Sequence, residues 1–275
     1  MLELPEACVL ADQLRQIILG RKIRTVRMNQ SPHKFAFYTG DPESYQEKLA
    51  GKEFDKAKSY CGMVELEAEH IRLVFSDGVN LRFHDQGSPR PAKHQMLIEF
   101  EDGSALSGSV QMYGFLSCFK EGEYENPYRD VAQLKPSPLA EDFDESYFNE
   151  LMSVDTVQKL SLKAFLATEQ RIPGLGNGVL QDILWAAKLN PRRKLSTLGE
   201  VEKGNLFRSL KERLGLMASL GGRDTEKDLF GMIGGYRTQM SNLHISEGCP
   251  VCGGEITQEA YLGGSVYYCP SCQKL

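Results

Sequence analysis

Residues 249–272 have the sequence CPVCGGEITQEAYLGGSVYYCPSC, and this stretch decides how the C-terminal end of the chain folds. Its two Cys-x2-Cys pairs are separated by 16 residues, a spacing typical of a structural four-cysteine zinc site. The runs on either side of Gly263-Gly264 have strand-forming composition and predict a hairpin between the pairs. We therefore predict a zinc ribbon over residues 246–275. Four thiolates close the coordination sphere of a structural Zn²⁺ ion, and the predicted ligands are Cys249, Cys252, Cys269 and Cys272.

The composition of the 275-residue chain is that of an ordinary globular protein, with 41% hydrophobic and 25% charged residues. At roughly 100–200 residues per domain, the length predicts about two domains. No window approaches the roughly 20 apolar residues of a membrane span, and the first residues lack the basic segment of a secretory signal. An odd number of cysteines, seven, argues against a disulfide framework. We expect a cytoplasmic protein with no membrane partner.

The formal net charge of −5 opposes a nucleic-acid partner when it is taken over the whole chain. The charge is unevenly distributed, because residues 1–150 hold 17 Lys and Arg against 25 Asp and Glu, which leaves 15 against 12 for residues 151–275. If a polyanion binds, the C-terminal half is the expected electrostatic footprint.

Hydrophobic periodicity predicts a β-rich part near the N-terminus. Pro5 to Gly20 has the pattern of a helix, and short alternating runs between Lys22 and Cys118 predict a β-sandwich or barrel. Asp77-Gly78 is interpreted as a hairpin turn between two of these runs. A leading helix and a β-sandwich are therefore expected over residues 1–125.

Helical periodicity returns after a turn-rich stretch, 126–145, which is interpreted as a linker. A helical domain is expected over residues 146–240, with candidate helices at 146–151, 156–167, 178–187, 198–220 and 225–230. The predicted fold class is α+β, with a β-sandwich, a helical domain and a zinc ribbon in that order.

A glycine-rich segment, Ile172-Pro173-Gly174-Leu175-Gly176-Asn177, directly precedes one predicted helix. Closely spaced glycines there expose backbone N–H groups and the positive end of the helix dipole, which suits a phosphate. A plain connection between two helices fits the pattern equally well. The segment lacks the Lys-Ser/Thr of a nucleotide-binding loop and does not follow a strand, so NTP binding is disfavoured.

Three motifs, taken in order along the chain, resemble the formamidopyrimidine-DNA glycosylase / endonuclease VIII family. They are Glu3-Leu4-Pro5-Glu6, Pro173-Gly174-Leu175-Gly176-Asn177 and the ribbon ending Cys269-Pro270-Ser271-Cys272-Gln273. The resemblance implies a β-sandwich, a helix–two-turn–helix domain and a zinc finger. It also implies a base-excision repair enzyme, a DNA glycosylase and AP lyase that flips the damaged base out of the stack. The implied partner is double-stranded DNA with a damaged base or an abasic site, bound by a monomer at the nucleoid.

The resemblance assigns catalytic roles to four residues. The family's nucleophile is the α-amine of residue 2, which forms a Schiff base with the sugar C1′, and residue 2 is Leu2 here. Glu3 matches the catalytic acid/base, Glu6 the second N-terminal glutamate, and Lys58 a lysine that contacts phosphate and assists elimination. From the residues alone, the two glutamates could simply favour a helix N-terminus, and Lys58 could be a solvated strand lysine.

The resemblance also implies DNA contacts. The implied phosphate-binding loop residues are Gly174, Gly176 and Asn177. Asn177 could also be an N-cap. Gln111 and Tyr113 align with the family's Arg-x-Phe pair, so the arginine is missing, whereas Tyr113 is a candidate wedge between bases. Arg237 is a candidate backbone contact.

Departures from the family pattern leave alternatives open. Residue 2 is leucine instead of proline. Because leucine is a large residue, we expect Met1 to be retained, and the α-amine then lies about 3.5 Å of chain further out. Gly264 replaces a finger arginine, and His84-Asp85-Gln86-Gly87 lacks a void-filling methionine. The presence of Glu3 favours an enzyme, whereas the loss of the family's proline and arginines favours a catalytically silent binder of damaged DNA. A zinc-ribbon RNA-binding protein is a third alternative.

Overall fold

The computed structural model describes residues 1–275. Its α-helices are α1 (Leu4–Ile17), α2 (Tyr45–Leu49), α3 (Pro127–Leu134), α4 (Glu145–Ser153), α5 (Leu162–Ala167), α6 (Asn177–Ala186) and α7 (Glu200–Ser219). Its strands are β1 (Ile23–Met28), β2 (Ala36–Tyr38), β3 (Lys56–Tyr60), β4 (Met63–Ala68), β5 (Ile71–His84), β6 (Met96–Phe100), β7 (Ala105–Lys120), β8 (Thr257–Tyr261) and β9 (Gly264–Tyr268). The order of elements agrees with the predicted α+β fold.

The leading helix begins where the sequence predicts, because Pro5 suits the first turn and lacks the N–H that the turn leaves unpaired. Leu10 and Leu14 are spaced one turn apart and are buried in the core of the β-domain. The helix packs against β3 and β4 on one side and against α7 on the other. It therefore lies between the β-domain and the helical domain.

The β-domain is a seven-stranded sheet with the order β1-β6-β7-β5-β4-β3, and β2 pairs in parallel with β7. The long strands β5 and β7 are paired along both halves of their length, and side chains from both halves contribute to one core. The prediction of a hairpin turn at Asp77-Gly78 is wrong, because both residues lie inside β5.

The register of the long strands shifts where the hairpin turn is predicted. Asp77 pairs with Gly114 and Val79 pairs with Val110, so three residues of β7, 111–113, lie opposite the single residue Gly78. Such a bulge needs close backbone approach: a Cβ on Gly78 would lie 1.9 Å from the carbonyl oxygen of Gln111. The bulge makes residues 111–113 protrude from the strand.

The helical domain is built around α6 and α7, and two of its candidate helices differ from the prediction. Residues 156–167 form a helix only from Leu162, where Ser161 caps the first turn by accepting from Ala164 N at 3.3 Å. Residues 225–230 form turns instead of a helix, and Leu229 is buried in the core of the β-domain. The predicted linker contains α3, which Asn126 caps. No helix in the structure has the length and apolar character that crossing a membrane requires.

Candidate active site and nucleic-acid interface

Glu3 caps a helix that lies 174 positions further along the chain. Its carboxylate oxygens accept from Gly178 N at 2.8 Å and from Val179 N at 2.7 Å, the free donors in the first turn of α6. The N-cap position itself is Gly176, which has no side chain to offer, so the predicted N-cap role of Asn177 is wrong. The glycine-rich segment thus holds a carboxylate at its helix N-terminus, where the sequence predicts a phosphate.

Arg223 lies between Glu3 and Glu6. Its Nε and Nη2 atoms donate to the two oxygens of Glu6 at 2.9 and 2.8 Å, and its Nη1 is 3.2 Å from Glu3. The three side chains are only 3–7% exposed. Glu6 binds the guanidinium through two hydrogen bonds, and Glu3 lies at the remaining nitrogen. Together the two carboxylates compensate the buried positive charge of Arg223. Local sequence patterns give no sign of Arg223, because its partners are more than 200 residues away.

Space for the Arg223 side chain exists because residue 178 is glycine. A Cβ at this position would lie 1.7 Å from Arg223 Nη1, and a Cβ on Gly176 would lie 2.5 Å from Glu3 Oε1. Gly174 lies on the other side of the segment, where its carbonyl accepts from Leu4 N at 2.9 Å. All three glycines are therefore used in packing the N-terminal residues against α6.

Burial raises the pKa of Glu3, while the positive charge of Arg223 and the two N–H donors oppose this effect. A buried carboxyl whose pKa lies above its ordinary value can hold and release a proton nearer to neutral pH than a solvated one. Glu3 therefore has the surroundings of an acid/base group, and Arg223 is the side chain that pairs with its carboxylate.

The residues before Glu3 are fixed by the β-domain. Leu2 N donates to the carbonyl of Asp77 at 2.6 Å, and the Leu2 side chain is buried in the core. The α-amine belongs to Met1 and forms an ion pair with Glu226 at 2.5 Å. A small surface depression beside this amine is lined in part by Leu2, Glu6, Asn80 and Glu226. The structure thus places the α-amine on Met1, paired with Glu226, and not on residue 2.

Lys58 is on the outer face of β3, away from the two N-terminal glutamates. Its Nζ donates to Glu67 on the neighbouring strand at 2.6 Å, and this bond raises the pKa of Lys58. The alternation of side chains along a strand explains the placement, since Ala57 faces the core and Lys58 faces the opposite side. The structure does not bring Lys58 into contact with Glu3.

Asn177 connects α6 to the terminal hairpin. Its Nδ2 donates to the carbonyl of Ser265 at 2.9 Å, whereas its buried Oδ1 has no partner. Gly264, which replaces the finger arginine, lies directly against Asn177. Lys163, buried at the start of α5, donates to the carbonyls of Tyr261 and Gly264 at 2.5 and 3.5 Å. The hairpin is therefore held at the glycine-rich segment by side chains of the helical domain.

The other predicted DNA contacts lie apart from Glu3. Gln111 and Tyr113 belong to the protruding bulge of β7, and both are exposed. Arg237 lies in the loop after α7, where its guanidinium pairs with Glu247 and lies 3.1 Å from His244 Nδ1. This loop is fixed by backbone N–H groups of residues 239 and 240, which donate to the buried carboxylate of Asp182. Sequence reasoning did not identify Asp182.

The four cysteines of the ribbon converge. All four Sγ atoms lie within 4.8 Å of one another, with Cys252 and Cys269 3.5 Å apart and Cys249 and Cys272 3.9 Å apart. A tetrahedral ion with sulfur ligands at 2.3 Å requires S–S separations of about 3.8 Å. The cluster therefore fits a four-coordinate metal ion. The predicted hairpin between the pairs is confirmed as β8 and β9.

These features define a class of protein: a β-domain and a helical domain joined at buried N-terminal glutamates, with a four-cysteine ribbon on the helical side. No family model matches the chain. The formamidopyrimidine-DNA glycosylase of Lactococcus lactis subsp. cremoris is 26% identical over 282 residues, and that of Bartonella quintana is 27% identical over 308 residues. Both alignments cover 100% of each chain.

Solved structures of a formamidopyrimidine-DNA glycosylase also match this chain. A complex of the Lactococcus lactis protein with DNA containing an abasic site matches with a TM-score of 0.83 and 24% identity, over 99% of this chain and 100% of that one. A complex of the wild-type protein with DNA containing N7-benzyl-Fapy-dG matches with a TM-score of 0.83 and 25% identity, at the same coverage. The chain is therefore similar over its whole length to formamidopyrimidine-DNA glycosylases and has the fold of the Lactococcus lactis protein.

Proposed function

We propose that this protein is a base-excision repair enzyme, a DNA glycosylase with AP lyase activity that acts on duplex DNA containing a damaged base or an abasic site. The observation that carries the proposal is the buried carboxylate of Glu3, held at the N-terminus of α6 and beside Arg223. The full-length relatives are named for the glycosylase, and the structural neighbours are complexes with abasic or damaged DNA.

In the proposed reaction the N-terminal amine bonds to C1′ of the damaged nucleotide while the bond from C1′ to the base breaks. The base leaves with a proton, the C1′–O4′ bond then opens, and O4′ takes a proton as the Schiff base forms. Glu3 supplies and removes these protons. Glu6 holds Arg223, and Arg223 in turn fixes the orientation of Glu3.

The reacting amine is that of Met1 when Met1 is present, and that of Leu2 after Met1 is removed. In the first case the ammonium group must leave Glu226 and lose a proton before it can attack. In the second case Leu2 must give up the hydrogen bond of its nitrogen to Asp77. Both routes keep the amine on the segment that carries Glu3.

DNA is proposed to contact the face that carries the glycine-rich segment and the bulge of β7. The candidate contacts are Gly174, Gly176, Asn177, Gln111, Tyr113 and Arg237. Arg237 and Lys58 become available to phosphate when they exchange their present carboxylate partners for a phosphate oxygen.

We further infer that the ion of the ribbon is Zn²⁺. Four cysteine thiolates with this spacing are the ligand set that zinc prefers, and they leave no open coordination position. When bound, the ion holds the two cysteine pairs together. The chain's own anchors are Gln273, whose Nε2 donates to Leu189 O at 2.9 Å, and Lys163, which fixes the hairpin.

Borohydride trapping on an abasic-site duplex tests the proposed chemistry. A covalent adduct on the N-terminal peptide is expected, and its mass identifies Met1 or Leu2 as the attachment site. A duplex with a tetrahydrofuran analogue, which lacks the aldehyde, is the matched control and should bind without forming an adduct. Tight binding to the abasic duplex with no adduct would overturn the proposed enzyme activity and indicate a catalytically silent binder of damaged DNA.

A further inference from the structure

Four exposed aromatic residues, Phe35, Phe37, Tyr113 and Phe115, lie where β2 pairs with β7. Phe37 of β2 pairs with Phe115 of β7. Phe35 and Tyr113 directly precede the paired residues of the two strands, and Gly114 N donates to Phe35 O at 3.0 Å. In a strand, alternate residues face the same side. The four residues are 36–46% exposed, and the rings of Phe37 and Phe115 stack with centroids 4.9 Å apart. We call these four residues the aromatic patch.

The same face of β7 is covered further along but not at the aromatic patch. The ring of Phe119 packs against Tyr124 in a tilted arrangement, with centroids 4.5 Å apart, and the guanidinium of Arg129 lies 5.3 Å from the centroid of the Phe119 ring. Tyr124 and Arg129 cover Phe119, whereas Phe115 is left exposed. Monomeric proteins rarely leave a contiguous group of large apolar side chains exposed unless it binds something. The aromatic patch is therefore a candidate binding surface.

Charge and position point to nucleic-acid bases as the occupant. Lys34 Nζ lies 5.3 Å from the ring centroid of Phe35, so a cation borders the rings, as a phosphate backbone requires. Tyr113 is shared with the protruding bulge of β7, which makes the aromatic patch continuous with the proposed DNA-binding face. Flat exposed rings stack with any unpaired base, because every base presents a π-face.

We propose that the aromatic patch binds unpaired bases next to the lesion, so that the preferred substrate is a lesion flanked by single-stranded DNA. This inference rests on the proposed function, because it names the substrate class for the same site. Tyr113 separates the bases at the lesion. Phe35, Phe37 and Phe115 then stack with the bases that no longer have pairing partners.

Fluorescence anisotropy with three DNAs tests the proposal: a duplex with a tetrahydrofuran site, a bubble with the same site among unpaired bases, and a plain single strand. The test variant is Phe37→Leu with Phe115→Leu, which keeps apolar bulk but removes two rings. It should weaken bubble binding by about 5- to 150-fold and leave duplex binding unchanged. Leu216→Ala, a change at a helical residue with the same exposure (42% against 41% for Phe37), is the control.

Three outcomes would overturn the proposal. Equal losses on the bubble and the duplex would show that the rings do not read unpaired bases. Unchanged binding to all three DNAs would show that they bind no DNA. Self-association of the wild type that the double variant abolishes would make the aromatic patch a protein interface. Failure of the wild type to bind the duplex, with the bubble still bound through the rings, would count against the proposed function alone.

Discussion

Arg223 joins the two N-terminal glutamates into one buried unit, with its guanidinium bonded twice to Glu6 and 3.2 Å from Glu3. The loop after α7 supplies the arginine, whereas the N-cap residue and the first turn of α1 supply the two carboxylates. The site is therefore assembled where the two domains meet, and its geometry depends on their packing. Arg223 compensates the buried charge of both glutamates, and the glutamates in turn compensate the buried guanidinium.

Replacing Arg223 with glutamine should destabilise the protein strongly. Two buried carboxylates would lose their only cation, and breaking a buried pair in this way costs about 3–5 kcal/mol. Urea denaturation measures the effect. Arg223→Lys keeps the positive charge but loses the bidentate hydrogen bonding to Glu6, so its stability should fall between those of the wild type and the glutamine variant. A glutamine variant as stable as the wild type would contradict the buried unit.

Adding one methyl group at residue 178 should disturb the same unit without changing any charge. In Gly178→Ala the new Cβ would lie 1.7 Å from Arg223 Nη1, and relieving such an overlap in a packed site costs about 1–3 kcal/mol. Gly215→Ala in α7 is the matched control, since nothing lies within 4 Å of its Cβ position. The control should gain about 0.5–1 kcal/mol in thermal or urea unfolding. Equal effects of the two changes would contradict the close packing at Gly178.

Glu3→Gln should abolish base excision while the protein stays folded. Glutamine has the same size and can still accept one N–H bond from α6, but it cannot exchange a proton. General acid–base groups contribute about 100- to 10,000-fold to the rate. Single-turnover excision from a damaged duplex measures the loss, and strand cleavage at a preformed abasic site is expected to be less affected. Glu200→Gln, at an 86%-exposed carboxylate, is the control. Excision at the wild-type rate in Glu3→Gln would exclude Glu3 as the acid/base.

Removal of the metal ion should unfold the ribbon and weaken DNA binding. Without the ion, no ligand bonds join the four thiols, and the ribbon contributes to only a small hydrophobic core. Elemental analysis should find one zinc per chain, and chelation should lower affinity for an abasic duplex. Readdition of Zn²⁺ should restore it. Full affinity in the metal-free protein would show that the ribbon does not position the DNA-binding face.

His244 should stabilise the protein mainly at acidic pH. Hydrogen bonds to Asp224 and Glu247 raise its pKa, while burial and Arg237 oppose them. A raised pKa contributes stability that is fully present below the unfolded value of about 6.5 and is lost as pH rises through the folded value. The melting temperature of His244→Gln should therefore fall further below the wild type at acidic than at alkaline pH. A difference that grows with pH would contradict the assignment.

Local spacing was enough to predict several parts of this protein. The two Cys-x2-Cys pairs and the intervening Gly263-Gly264 predict the ribbon and its hairpin, because ligand geometry and turn chemistry act over a few residues. The leading helix follows from Pro5 and the apolar stripe for the same reason. The motif around Gly174 and Asn177 correctly marks the start of α6.

Only the tertiary structure decided which of these parts contact one another. The sequence places Asp77-Gly78 in a hairpin turn, yet pairing with β7 makes it the partner of a bulge that exposes Tyr113. Glu3 was expected to act at its own helix or on substrate, and the fold makes it the cap of α6. Arg223 reaches both glutamates across more than 200 residues. Side-chain periodicity and capping rules describe neighbours in sequence, whereas a buried charge is balanced by neighbours in space.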